Sequence, residues 1–491
     1  IFFLRLRVLL AMAVTIAIGL LWTFGATRMT VGHLNSSTGF LVSIIAGNGI
    51  NFGIIYMARY LEGRRAQHYD VAKAIRVAHE DTWLSTLAAS GAAMVAYGSL
   101  AVTDFRGFKH FGFIGGMGMI LCWIATYAML PPILVVSERI APMFTNPASW
   151  RSRTRGIYGF AFAWAAEKAS RPIVLLGVAG ALACGFLSYR YVVRDPMEYD
   201  FHNIHNERKD ESSARVLSTR VDKIVGRMGQ DGMAVMTDRL DQVLPLKAEL
   251  NKRKDAAPAD KKPFEKVVSI HDLIPDRQAE KISLIEEIVD RIQRAHDKKI
   301  ISEADWKEIE PQLPSMPLKQ IGIADLPEKM ARAFTEADGT RGRIVYIVPK
   351  EGRSIWDAHY LELWADSFRE VKLPSGEVIR GSGRAVIFAD MIQSVRDDAP
   401  KAIAVSLLGT ILVVLLAFRF RRGSWLVLGT LPLGLAWFGG FLYWRDVKLN
   451  FLNFVAVPIT FGIGADYAVN MLRRFRIEQG VNIRQVVIET G

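Results

Sequence analysis

One carboxylate stands where an apolar environment leaves it little to do but chemistry. Asp466 lies in Ile459-Thr-Phe-Gly-Ile-Gly-Ala-Asp-Tyr-Ala-Val-Asn470. An ionised acid inside a bilayer costs on the order of 2.5–3.5 kcal/mol. The protonated acid is the cheaper form there, so Asp466 suits a proton relay. Tyr467 adds a hydroxyl, and Asn470 shares the Asp466 face one turn on. Gly462 and Gly464 would let a neighbouring helix approach, Pro458 frees a carbonyl one turn back, and Thr460 could reach such a group. The plainer alternative is a structural acid, paired with another helix or lying at the cytoplasmic edge near Arg473.

Other candidates carry less. His202 and His205, with Asp200 and Glu207, have a spacing seen in metal sites. They read instead as a polar surface segment after a membrane exit, and no metal site is assigned. Arg380-Gly-Ser-Gly-Arg384 could cradle a phosphate but reads as a tight turn before a strand at 385–388. Lys252-Arg253-Lys254 and Lys261-Lys262 read as solvated loop. Gly112, Gly115, Gly116 and Gly118 read as close helix packing rather than a nucleotide loop. Cys122 and Cys184, the only two cysteines, lie in apolar runs and form neither a disulfide framework nor a zinc site. No nucleophile motif or P-loop is present. The reading is therefore not an enzyme, with no cofactor.

The segments that must position Asp466 are apolar. The chain has 491 residues, 51% of them hydrophobic, and a net charge of +12. Residues 1–193 hold 17 Lys/Arg against 7 Asp/Glu, and residues 401–491 hold 10 against 4, while the polar middle is net acidic. Basic charge that follows apolar segments speaks for membrane topology and against nucleic acid. Eight stretches are predicted to span the bilayer: 8–27, 40–60, 84–102, 111–136, 173–191, 402–418, 425–444 and 451–471. With residue 1 in the cytoplasm, cytoplasmic segments carry 19 Lys/Arg and the short outer loops 5. The soluble middle is then outside, in the periplasm of a bacterial inner membrane. Pro131-Pro132 should kink or end its span.

An offset of 415 positions brings two membrane stretches into register. Gly47, Gly49, Asn51, Phe52 and Arg59 fall on Gly462, Gly464, Asp466, Tyr467 and Arg474. Amphipathic stretches follow both copies, at 70–81 and 481–490. Both copies run the same way, as parallel repeats about an axis along the membrane normal. The second copy carries an acid where the first has Asn51, and a hydroxyl where the first has Phe52. The expectation is that Asn51 packs against Asp466 and donates a hydrogen bond to it.

The motif Gly462-Ile-Gly-Ala-Asp466-Tyr467, followed by Arg473-Arg474-Phe475-Arg476, resembles the resistance–nodulation–division superfamily, in its MmpL-like branch. The segment Asp272-Leu-Ile-Pro275 with Glu280-Lys281 is similar to the hopanoid-transporter (HpnN-like) subgroup. The resemblance implies a polytopic α-helical membrane protein with a parallel pseudo-two-fold repeat, plus an α/β periplasmic domain. The chain looks like the third to tenth spans of a twelve-span plan, hence a piece of a longer protein. It implies that Asp466 and Tyr467 carry protons, supported by Asn51, Phe52, Gly462, Gly464, Asn470 and Thr460. It also implies export of hydrophobic or lipid-like substrates driven by the proton-motive force, in a homo-oligomer (dimer or trimer). The alternatives are a SecDF-like protein-export helper and a sterol-sensing-like receptor that does not transport.

The resulting organisation is four spans in 1–140, a cytoplasmic linker with an amphipathic helix over 141–171, and a span over 172–192. A porter-like α/β domain with a helical insertion follows over 193–399. Three spans over 400–475 and the start of a cytoplasmic coupling helix over 476–491 complete it. Within the soluble domain, strands are expected at 232–236, 267–270, 343–348 and 385–388. Helices are expected at 238–253, 277–297, 302–311 and 356–370, in β-α-β units.

Overall fold

The computed structural model describes residues 6–34, 36–65, 67–140, 157–204, 233–350 and 353–477, with positions 217 and 220. His205, Glu207 and the stretch 481–490 lie outside the described residues. In chain order the helices are α1 (Leu6–Thr30), α2 (Ser36–Gly39), α3 (Leu41–Arg65), α4 (Val71–Gly98), α5 (Arg106–Ile140), α6 (Ile157–Lys168) and α7 (Ser170–Val193). They continue as α8 (Val243–Ala256), α9 (Gln278–Asp297), α10 (Glu303–Ile309), α11 (Glu328–Ala331) and α12 (Ala358–Arg369). The last three are α13 (Arg384–Ala417), α14 (Arg422–Trp444) and α15 (Ala456–Ile477). The strands are β1 (Met233–Met236), β2 (Phe264–Ser269), β3 (Ile344–Pro349), β4 (Glu370–Lys372) and β5 (Val378–Arg380). The chain forms two compact units: 1–198 with 391–491, and 199–390.

The first unit is a helical bundle. Among the described residues, seven helices are long and apolar enough to cross a membrane: α1, α3, α4, α5, α7, α13 and α14. The chain is a multi-span membrane protein. The expected eighth span differs. Asn450 and Asn453 exchange side-chain hydrogen bonds with each other's backbone N–H and hold a turn (2.8 and 3.0 Å), so the helix starts at Ala456 rather than 451. It then runs into Arg473, Arg474 and Arg476, which lower its apolarity.

Three further boundaries shift for physical reasons. Asp70 caps α4 by accepting from Lys73 N, which fuses the amphipathic 70–81 stretch to the following span. At 28 residues, α4 is about 42 Å long. Pro131 and Pro132 do not end α5, which continues to Ile140. The strand expected at 385–388 is the first turn of α13. Its β-branched residues suggest a strand, but Ala385, Ala389, Ile392 and Val395 are buried at helical spacing.

Small residues bring the bundle helices close. A Cβ on Gly112 would lie 2.5 Å from the Tyr97 carbonyl oxygen, and one on Gly118 would lie 2.7 Å from Ile45 Cδ1. The glycine cluster of α5 is therefore a packing surface against α3 and α4. Gly440 meets Cys184 in the same way where α14 lies on α7.

The second unit carries a three-stranded sheet in the order β1-β3-β2, with β3 antiparallel to both neighbours. β1 and β2 thus run parallel, linked by α8, with β3 inserted between them. This is a split β-α-β arrangement rather than adjacent parallel strands. Helix α12 buries Tyr360, Leu361, Trp364 and Phe368 along one face. Helix α9 buries only Val289 and leaves Leu284, Ile285 and Ile288 exposed.

Candidate functional site

Helix α15 is held against α4 by Gly462. A Cβ there would come within 2.8 Å of the Ala92 carbonyl oxygen and 3.0 Å of Ala93 Cα. Asp466 lies one turn further along the same face and is 8% exposed. Its carboxylate borders a cavity of about 10 Å³, close to what one water occupies. Asn48, Asn51 and Phe52 of α3, Ala89 and Ala93 of α4, Met119 of α5 and Gly462 and Ile463 of α15 complete the lining.

The polar groups around the acid are amides. Asn470 Nδ2 donates to Asp466 Oδ1 at 2.5 Å. The other end of that amide, Asn470 Oδ1, is buried and has no hydrogen-bond partner among the described residues. An amide offers a donor at one end and an acceptor at the other. Turned over, Asn470 would accept from a protonated Asp466, so one side chain can serve both protonation states. Asn48 Nδ2 donates to the Tyr97 hydroxyl at 2.8 Å, which anchors α3 to α4 beside the cavity. Among the described residues, no Lys, Arg or His lies within 4.0 Å of the Asp466 carboxylate.

The structure brings some of the sequence candidates together and separates others. Asn51, Phe52, Gly462 and Asn470 all meet Asp466 at this cavity or at its carboxylate. The hydrogen bond expected from Asn51 comes instead from Asn470, whose position on the same helix already places it in reach. Tyr467 is 68% exposed and turns away, because consecutive helical residues sit about 100° apart. Thr460 Oγ1 donates to Ala456 O within its own helix at 2.7 Å and does not reach the cavity. Gly464 is no close-approach position, since a Cβ there would find only Leu431 Cδ2, at 3.6 Å.

Sequence reasoning missed Asn48, Met119 and Ser406. Asn48 precedes Asn51 by three residues and so shares its helix face, a signal that was available. Met119 carried none. Ser406 Oγ donates to the Pro458 carbonyl at 2.6 Å and ties α13 to α15.

A second pair from the 415-residue offset also meets. Arg59 Nη1 and Arg474 Nη2 both lie 2.8 Å from Glu62 Oε1, and Arg59 Nη2 reaches Asp81 Oδ2 at 2.6 Å. These side chains are 11–26% exposed. Among the described residues no group of three or more His, Cys, Asp and Glu could hold a metal ion.

Comparison with known proteins agrees with this architecture. The hopanoid transporter HpnN of Rhodopseudomonas palustris is 25% identical over 340 residues, which is 68% of this chain and 34% of that protein. The HpnN of Burkholderia multivorans is 31% identical over 129 residues, 26% of this chain and 14% of that protein. The chain thus spans about a third or less of the length of these relatives. The hedgehog release protein Disp from the water bear Hypsibius dujardini superposes with a TM-score of 0.53 at 12% identity. That match covers 98% of this chain and 60% of the other, and shows a shared fold. The family model of the MMPL family matches residues 4–174 and 239–489, which take in α15 with Asp466 and the helices α3, α4 and α5 that enclose it; the chain belongs to the MMPL family.

Proposed function

We propose that this chain is part of a proton-motive-force-driven transporter that exports hydrophobic or lipid-like substrates from the inner membrane. The observation that carries the reading is Asp466, buried in a helical bundle with amide neighbours and, among the described residues, no cation within 4.0 Å. A purely structural acid is ordinarily neutralised by a partner, because an unpaired buried charge is costly. An acid that must gain and lose a proton is better served by amides, which bind both forms.

In this reading a proton from the outer side neutralises Asp466 and changes how α15 packs against α3 and α4. Each charge crossing the field contributes about 2.3 kcal/mol per 100 mV. Tyr467, facing outward from α15, serves the proton path on the exposed side of that helix. The second unit lies in the periplasm and handles the substrate. Two relatives named hopanoid transporters, and the exposed apolar face of α9, support a lipid as cargo over a polypeptide.

The test is export of a fluorescent lipid reporter from cells making the full-length protein, with Asp466→Asn beside wild type at equal expression. The proposal expects export to fall to background in the variant and in wild type treated with a protonophore. Export that survives both treatments contradicts it.

A further inference from the structure

Three arginines follow Asp466 on α15, and the structure treats them differently. Arg474 is neutralised by Glu62. Arg473 and Arg476, three residues apart, share another face and line one cavity of about 30 Å³ with Ser85, Ala88, Phe418 and Val469. Among the described residues neither has a carboxylate within 4.0 Å. Arg473 Nε is buried and has no hydrogen-bond partner among the described residues. Two cations facing one cavity repel each other, and a buried donor without an acceptor is costly. Both penalties vanish if an anion occupies the site.

The surroundings hold Arg476 in place and add further positive charge. The Arg476 guanidinium lies 5.1 Å from the Phe418 ring centroid and packs against Gly423. Gly423 is in the first turn of α14, whose N-cap residue Arg421 supplies no side-chain acceptor. Ser424 N–H donates to the Arg421 carbonyl at 2.8 Å, and the helix start, with no side-chain cap, carries partial positive charge. Arg419 and Arg421 just before that turn and Arg422 at its start are exposed. Beside them Phe420, Trp425 and Leu426 are 62–69% exposed, an apolar rim suited to acyl chains.

We infer that Arg473 and Arg476, with the first turn of α14, form a binding site for a phosphate group, supplied by an anionic phospholipid whose acyl chains lie on the Phe420–Leu426 rim. Planar guanidinium groups match phosphate oxygens with paired hydrogen bonds. Basic pockets between membrane helices recognise such headgroups. The site is separate from the Asp466 cavity and does not depend on the transport reading.

The experiment is native mass spectrometry of the full-length protein in detergent, with equimolar phosphatidylglycerol and phosphatidylcholine as probes. Wild type is expected to retain phosphatidylglycerol preferentially. The R473Q/R476Q double variant is expected to lose that preference by about tenfold or more. Arg445→Gln, far along the chain at the other end of α14, is expected to keep it. The single variants R473Q and R476Q are read in parallel, so the test survives poor folding of the double variant; each is expected to weaken retention. Inorganic phosphate is added as a competitor. Failure of millimolar phosphate to displace the lipid supports the phospholipid as ligand. Binding of phosphate with no selective lipid retention keeps the phosphate site and overturns the lipid assignment. Equal retention of the two lipids without phosphate binding, or a preference untouched by the arginine variants, overturns the proposal.

Discussion

Placing a single methyl group at Gly462 tests whether the close approach of α15 and α4 sets the geometry around Asp466. An added Cβ would sit 2.8 Å from the Ala92 carbonyl oxygen, 3.0 Å from Ala93 Cα and 2.7 Å from Ala96 Cβ. None of these is the end of a flexible side chain, so the helices must part. Relaxed carbon contacts lie at about 3.5–4.0 Å, which asks for a separation of roughly 0.8 Å. Overpacking of this kind costs about 1–3 kcal/mol. The control is Gly464→Ala, whose Cβ would meet only Leu431 Cδ2 at 3.6 Å. Both substitutions gain the same helix propensity of about 0.5–1 kcal/mol. That gain cancels between them, and Gly462→Ala should be less stable than Gly464→Ala by the overpacking term alone. Unfolding by SDS in mixed micelles, followed by far-UV circular dichroism, measures the difference. Stabilities within about 0.5 kcal/mol of each other would refute the packing argument.

Two further outcomes follow from named contacts. Glu62→Gln removes the acid shared by Arg59 and Arg474, while Arg59 keeps Asp81, and should destabilise the bundle by about 3 kcal/mol; a double-mutant cycle with Arg474→Gln should show most of that cost to be shared, and additive effects would show the contact to be idle. In the second unit, burial would raise the Asp272 carboxyl, but Lys247 and the Ser269 N–H and hydroxyl outweigh it and hold it below the ordinary carboxylate range. Its contribution is therefore complete above the ordinary carboxylate pKa and is lost as pH falls through the lowered value. Hydrogen-exchange protection factors around β2 and α8, which divide out the intrinsic slowing of exchange in acid, should fall over that acid window in wild type, whereas Asp272→Asn should be less protected already at neutral pH and lose the dependence.

The sequence made the bundle legible where apolar length decides the outcome, and less so where local chemistry sets boundaries. Asn450 and Asn453 delay α15 through side-chain bonds that hydropathy does not register. Residues 385–388 carry a strand-like β-branched composition, and only the burial of Ala389, Ile392 and Val395 beyond them reveals the helical period. At the site, Asp466, Asn470 and Gly462 could be found because they share one helix face. The outward turn of Tyr467 follows from the same periodicity. Asn51 was placed near the acid by the internal offset, and it shares the acid's cavity. Its missing hydrogen bond depends on side-chain geometry that no alignment of two stretches can supply. The meeting of Arg59 and Arg474 on Glu62 was latent in the same offset, but their shared acid has no counterpart in it, since Ile477 occupies the matching position.

Asp466 as the carrier of the coupled proton is tested most directly by proton flux into liposomes reconstituted with the full-length protein, read by an internal pH dye under an imposed membrane potential. Wild type should move protons when a lipid substrate is present, and Asp466→Asn should reduce the flux to that of protein-free liposomes. Equal flux through wild type and Asp466→Asn would contradict the account.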